Sequence, residues 1–247
     1  MIEVETLTAI KTENLTKKYK DKTVVNKLNL EINKGELFAL LGVNGAGKST
    51  TIKMLTTLVT PTRGDAVLFG KSIVSDRQAV KEITSVSPQE TAVAQNLTVK
   101  ENLQLMAKIY GFKGSQVDEK VSEIMAKFDL EEIAKSKAKT LSGGWQRRLS
   151  IAMALISEPK ILFLDEPTLG LDVLARRELW EQIEKLKGNT TIILTTHYLE
   201  EAESLSDRIG IMNKGVLKAV GTAKELIQLA RTEDFEQAFV KLSKEAV

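Results

Sequence analysis

Apolar positions along this chain keep two different periods, one of two residues and one near 3.6, and the periods change over in blocks. Residues 24–32 alternate loosely, with Leu28, Leu30 and Ile32 on one side, which predicts a strand. Leu37-Phe38-Ala39-Leu40-Leu41 is an unbroken apolar run ending at Gly42, as expected of a strand covered on both faces in a parallel sheet. Residues 47–58 predict a helix that Pro61 stops, and 67–69 and 83–86 predict short strands broken by Gly70 and Pro88. From 88 to 158 the pattern turns helical. Residues 99–110 set Leu103, Met106, Ala107 and Tyr110 near one face, and 117–128 do the same with Val121, Ile124, Met125 and Phe128. A third helix over 144–156 closes the block before Pro159. Alternation then returns: strand 161–165, helix 173–187, strand 190–196, helix 197–205, and two short strands at 208–212 and 216–220. Beyond Thr222 a helical tail carries Phe235, Phe239 and Leu242 as a docking stripe.

These blocks predict an α/β nucleotide-binding lobe over 1–87 and 158–220, interrupted by a helical subdomain over 88–157 and followed by a helical tail over 221–247. There is no internal repeat. At 247 residues, 43% apolar and 28% charged, the composition is that of an ordinary globular protein. Net charge is +2, from 35 basic and 33 acidic residues, so no nucleic-acid partner is expected. With no cysteine there is neither a disulfide framework nor a thiolate metal site. Residues 1–12 mix acidic and apolar side chains without the apolar core of a signal peptide. No window approaches the roughly 18–20 apolar residues of a membrane span, so any membrane role calls for a spanning partner.

Gly42-Val43-Asn44-Gly45-Ala46-Gly47-Lys48-Ser49-Thr50 follows a predicted strand and opens a predicted helix, the context a phosphate-binding loop requires. Its glycines let backbone amides curl toward an anion, and the helix N-terminus adds its dipole. Lys48 supplies a point charge to the β- and γ-phosphates, and Ser49 can ligate magnesium. Asp165 ends a buried strand at the edge where ligands collect in α/β sheets, and can hold the metal. Glu166 beside it can orient or deprotonate a water. His197, the chain's one histidine, ends another strand at the same edge. Ser142-Gly143-Gly144 opens a helix, and fits an anion site and a plain serine cap equally well. Gln89, after Pro88, reads by itself as a surface polar residue, and Tyr19 fits a strand as well as a site.

Taken together these motifs resemble the ATP-binding-cassette family over essentially the whole chain. The resemblance rests on the phosphate loop, Ser87-Pro88-Gln89, Leu141-Ser142-Gly143-Gly144, Asp165-Glu166-Pro167-Thr168, Gly170-Leu171-Asp172 and Thr195-Thr196-His197. It implies a P-loop cassette with a RecA-like lobe, an N-terminal antiparallel β-subdomain and an inserted α-helical subdomain. It also implies an ATPase using ATP and Mg2+, with Gln89 sensing the γ-phosphate and metal, and His197 as the switch residue. Tyr19 matches the aromatic that stacks on adenine. ATP on one cassette would be covered by Ser142 to Gly144 of a second copy, with Asp172 linking the two sites. The implied partners are that second cassette and a separate membrane permease, holding the chain at the cytoplasmic face of the cell membrane. Tyr198-Leu199-Glu200-Glu201-Ala202-Glu203 and the tail resemble the drug, lipid or sodium exporter branch. The family's signature usually has Gln where this chain has Trp145, so no contact is carried over to that side chain. Two other classes remain in view: a non-transport cassette of translation or DNA repair, and a regulatory ATP-binding module. One phosphate loop, one signature, no room for a coiled coil, and the presence of Lys48, Asp165, Glu166 and His197 argue against them.

Overall fold

The computed structural model describes residues 8–244; the expectations for the first seven residues and the last three lie outside it. Two sheets organise the chain. The first is antiparallel, in the order β2-β1-β4-β5, from β1 (Thr8–Tyr19), β2 (Lys22–Asn33), β4 (Arg63–Leu68) and β5 (Lys71–Ser72). The second has the order β10-β9-β3-β8-β7-β6, from β3 (Leu37–Leu41), β6 (Thr84–Ser87), β7 (Ile161–Asp165), β8 (Thr191–Thr196), β9 (Arg208–Asn213) and β10 (Val216–Gly221). Strand β3 lies parallel to both β8 and β9, with Phe38 opposite Ile193 and Leu40 opposite Gly210. Only β10 runs antiparallel to its neighbour in this sheet.

The unbroken apolar runs are explained by what covers them. Leu37, Ala39, Leu41, Leu162, Leu164, Ile192 and Leu194 face one core, shared with the helical block and the tail. Phe38, Leu40, Ile161, Phe163 and Ile193 face the other, shared with the antiparallel sheet. Successive side chains of a strand point to opposite sides, so a strand between two cores must be apolar throughout.

Helix α1 (Lys48–Leu55) follows β3, and α2 (Arg77–Ile83) precedes β6. Between β6 and β7 come α3 (Val99–Ile109), α4 (Ser115–Lys127) and α5 (Gly143–Leu155), and among the described residues no strand of either sheet. Thr98 and Glu101 form a reciprocal cap that starts α3. Residues 147–155 of α5 are all buried, because this helix packs on α3 and α4 as well as on the sheet. Then follow α6 (Val173–Glu184), α7 (Leu199–Leu205), α8 (Ala223–Ala230) and α9 (Phe235–Lys244). Phe235 and Leu242 are buried and Phe239 packs at the edge of the same core, so the tail stripe docks.

The structure differs from the sequence expectation in a few places. Strand β1 is longer than any alternation suggested: four register shifts against β2 and a left-handed Asn14 (φ 50°) break its period. Ile83 closes α2 instead of opening β6. Tyr110 caps α3 beside Met106 in a half-exposed position, at the border of the buried face and not within the core. No helix among the described residues is long and apolar enough to cross a membrane.

Candidate functional site

The loop between β3 and α1 is shaped by what glycine lacks. A Cβ on Gly42 would stand 2.2 Å from the Met212 carbonyl oxygen, and one on Gly47 2.7 Å from that of Val24. Gly47 has φ 108°, a conformation that side chains disfavour. The Ala46 amide donates to the Val43 carbonyl (3.1 Å), and Gly215 N–H donates to the Ala46 carbonyl (2.8 Å). The loop thus curls around a cavity of about 370 Å³. Residues 44–50 form its floor, and Val24, Gln89, Glu166, Leu169 and His197 complete its walls.

Lys48 begins α1 and is almost wholly buried. Its Nζ donates to the Gly42 carbonyl at 2.7 Å and pairs with Glu166 Oε1 at 3.1 Å. The other oxygen of that carboxylate, Oε2, meets His197 Nδ1 at 2.7 Å. Because a carboxylate paired with lysine only accepts, Nδ1 carries the proton and Nε2 is left for a ligand. Glu166 itself has φ 49°, strain that costs about 1–3 kcal/mol in a non-glycine residue. Its amide donates to the Thr195 carbonyl and hydroxyl, both at 3.1 Å, which holds the turn.

Asp165 sits one residue earlier, at the end of β7. Its Oδ1 accepts from Ser49 Oγ (3.0 Å) and Thr195 Oγ1 (2.6 Å). Hydroxyl and carboxylate oxygens in this arrangement suit a hard cation that keeps most of its ligands as water or phosphate oxygen. Among the described residues no cluster of three or more His, Cys, Asp or Glu offers an all-protein cage instead.

Lys48, Ser49, Gln89, Asp165, Glu166 and His197 therefore converge on one site. Ser142 to Gly144 and Tyr19 do not line this cavity. Ser142 is the N-cap of α5, weakly accepting from the Trp145 amide at 3.5 Å. A Cβ on Gly144 would stand 3.1 Å from Ala175 Cβ, so this glycine also lets α6 approach closely. Tyr19 lies half-exposed at the end of β1 with Lys17 Nζ 4.9 Å from its ring centre. Trp145 stacks under the Arg148 guanidinium at 4.3 Å. Asp172 caps α6 by accepting from the amides of Leu174 and Ala175.

Three residues were not singled out for a role of their own in the sequence: Thr195 and Glu201 stand there only within longer motifs, and Arg147 in none. Thr195 fixes both members of the acidic pair. Glu201, on α7, is fully buried and accepts from Thr168 Oγ1 (2.8 Å) and Trp180 Nε1 (3.2 Å). Burial pushes its carboxyl above the usual range, only partly offset by hydrogen bonds from Thr196, Thr168 and Trp180. Arg147, on α5, is buried enough to fall below its ordinary value, with Asp165 and Glu201 acting the other way. Charged residues on an apolar helical face are the one sequence signal that marks the last two.

The family model described as "ABC transporter" matches residues 25–169. A linearmycin resistance ATP-binding protein of Bacillus subtilis (strain 168) is 40% identical over 218 residues, 88% of this chain and 70% of that protein. A solved structure described as the ATP binding subunit of an ABC transporter superposes with a TM-score of 0.84 at 30% identity, covering 96% of this chain and all of that one. A dimeric ATP-binding cassette in a post-hydrolysis state, bound to ADP and Pi, superposes with a TM-score of 0.77 at 27% identity over 86% of this chain and 98% of that one. The chain spans 25% and 42% of the length of the first curated relatives it matches.

Proposed function

The chain belongs to the ABC transporter ATP-binding family, and from that premise we propose that it is a magnesium-dependent ATPase energising a separate membrane permease, in the direction of export. The observation that carries this is one carboxylate, Glu166, held between Lys48 and His197 over a curled glycine loop.

In this reading the amides of Gly42 to Thr50 cradle the triphosphate and Lys48 neutralises its outer oxygens. A triphosphate there competes with Glu166 for Lys48. Released from that pair, Glu166 is free to accept the proton of an attacking water. His197, oriented through Nδ1, would contact a γ-phosphate oxygen by donating from Nε2 as well, that is, as the imidazolium. Ser49 and Asp165 would hold magnesium, with Gln89 as a further ligand; the ion supplies charge neutralisation on the phosphate oxygens. Tyr19, exposed beyond the cavity, is assigned to the adenine ring.

Ser142, Gly143 and Gly144 are assigned to the nucleotide of a second cassette, a second copy of this chain, with Asp172 between the two sites. Exposed Val173 and Leu174 beside Asp172 supply apolar surface that such pairing covers. For the permease, a groove of about 410 Å³ lies beside the Gln89 loop, lined in part by Leu58, Pro88, Met106, Tyr110 and Met153. The relative's role in linearmycin resistance supports export. Division into a nucleotide lobe (1–87 and 158–220), a helical subdomain (88–157) and a tail belongs to the same proposal, as does a place at the cytoplasmic membrane face.

Phosphate release from ATP and magnesium tests the enzyme directly. Lys48→Ala and Glu166→Gln should each lower the rate at least about tenfold, ~1.4 kcal/mol in barrier. Undiminished turnover in both variants would overturn the assignment.

A further inference from the structure

Helix α5 holds more than the Ser142–Gly144 turn. Its buried face grips the start of the loop that carries Gln89. Ser150 Oγ and Ser87 Oγ share a hydrogen bond at 3.0 Å. One helical turn earlier, Arg147 reaches the next two residues: Nη1 donates to the Pro88 carbonyl and Nη2 to that of Gln89, each at 2.5 Å. Three consecutive residues are thus fastened to one helix.

Burying a guanidinium at 4% exposure carries a desolvation cost, offset here by its two carbonyl hydrogen bonds and the nearby Asp165 and Glu201 charges. Its fork delivers something a lysine does not. Two N–H groups in one rigid plane fix two successive carbonyls, and with them the plane of the peptide that precedes the Gln89 side chain. Gln89 is exposed and lines the nucleotide cavity. The orientation of its peptide decides how its side chain enters.

We infer that Arg147 is a positioning residue: it yokes the Gln89 peptide to α5, so that the helix whose start carries Ser142–Gly144 and the glutamine that enters the cavity move as one piece. This rests on the ATPase reading above. The phosphate loop makes no use of Arg147, so nucleotide capture and turnover should separate.

The test compares Arg147→Met, Arg147→Lys, Gln89→Ala and Arg147→Met/Gln89→Ala in the full chain. The readouts are kcat and KM for ATP, affinity for a non-hydrolysable ATP analogue, and amide hydrogen exchange over residues 87–95. Arg147→Met should lose kcat by at least about tenfold, the scale of a small misplacement of a reacting group, while analogue affinity stays within about twofold. The double variant should be no slower than Gln89→Ala, because both remove the same contact. Exchange over 87–95 should speed up. Should Arg147→Met not fold, Arg147→Lys decides by the same readouts, with at least about a threefold loss of kcat expected. Wild-type kcat in the Arg147 variants, losses that multiply with Gln89→Ala, or unchanged exchange would each overturn the inference. A wild-type chain without turnover would instead remove the ATPase reading, and amide exchange alone would then decide the tether.

Discussion

Replacing Glu166 by glutamine should weaken the free protein and tighten its hold on nucleotide at the same time. Both groups of the Lys48–Glu166 pair are nearly dry, with side-chain exposures of 5% and 7%. Deleting one partner of a buried pair generally costs about 3–5 kcal/mol. Here the cost is smaller, since Lys48 keeps the Gly42 carbonyl at 2.7 Å and the glutamine oxygen can replace Oε1. A charge-assisted contact reduced to a neutral one leaves about 1–3 kcal/mol. For a chain of this size that lowers Tm by roughly 2–12 °C. The same pair must break before a phosphate can engage Lys48, and the glutamate charge also repels that phosphate. Its removal should therefore improve affinity for a non-hydrolysable ATP analogue by about tenfold or more, ~1.4 kcal/mol. Calorimetric titration and melting curves with and without the analogue measure both arms. The ligand-induced rise in Tm should be larger in the variant than in the parent. A variant with parental Tm and parental affinity would show that Lys48 and Glu166 are not paired in solution, and the competition reasoning would fall with it.

Gly47→Ala should lower Tm by at least about 5 °C and abolish analogue binding, since its Cβ meets a backbone oxygen at φ 108°; near-parental melting would refute the steric account. Ser49→Ala removes one of the three proposed metal ligands while Asp165 keeps Thr195. The magnesium concentration for half-maximal turnover should rise about tenfold or more, and an unchanged magnesium titration would count against the site. Glu201 has a carboxyl raised above 4.5 in the fold, chiefly by burial and also by the Glu166 charge. Its stabilising contribution is fully present below about pH 4.5 and is lost as pH rises toward the folded value. Glu201→Gln should consequently gain stability relative to the parent as pH rises above about 4.5, read as a growing Tm difference; a constant difference would mean that Glu201 ionises alike in both states.

The residues proposed to bind or react stood out in the sequence because such chemistry demands particular types at particular strand ends. Lys48, Asp165, Glu166 and His197 each follow an apolar run, and each run became a central strand or the helix directly after one. Gln89 looked like an ordinary surface residue, and only the packing of β6 against α5 brings it to the cavity. Strand β1 escaped because bulges shift its alternation, so the polar-apolar period that betrays β2 is scrambled in its partner. Thr195, Arg147 and Glu201 were hidden for a different reason. They act on other residues through hydrogen bonds across the fold, and no local spacing encodes a partner 21 to 59 positions away. Gly144 carries a double meaning that sequence could not separate, since the approach of Ala175 alone would require a small residue there.

The pairing of β3 with β9 has a consequence for how the protein comes into being. The glycine loop is complete in the first fifty residues of the chain, yet its shape depends on the Met212 and Gly215 backbone, and β3 hydrogen-bonds to strands that arrive some 150 to 170 residues later. Such distant contacts form slowly and late. During synthesis the nascent chain displays the whole glycine loop long before that loop can hold a phosphate, and its most apolar strand waits uncovered meanwhile. Nucleotide capture by stalled ribosome-bound chains should therefore switch on only after residue 215 has emerged, which makes ATP affinity a late checkpoint on closure of the loop.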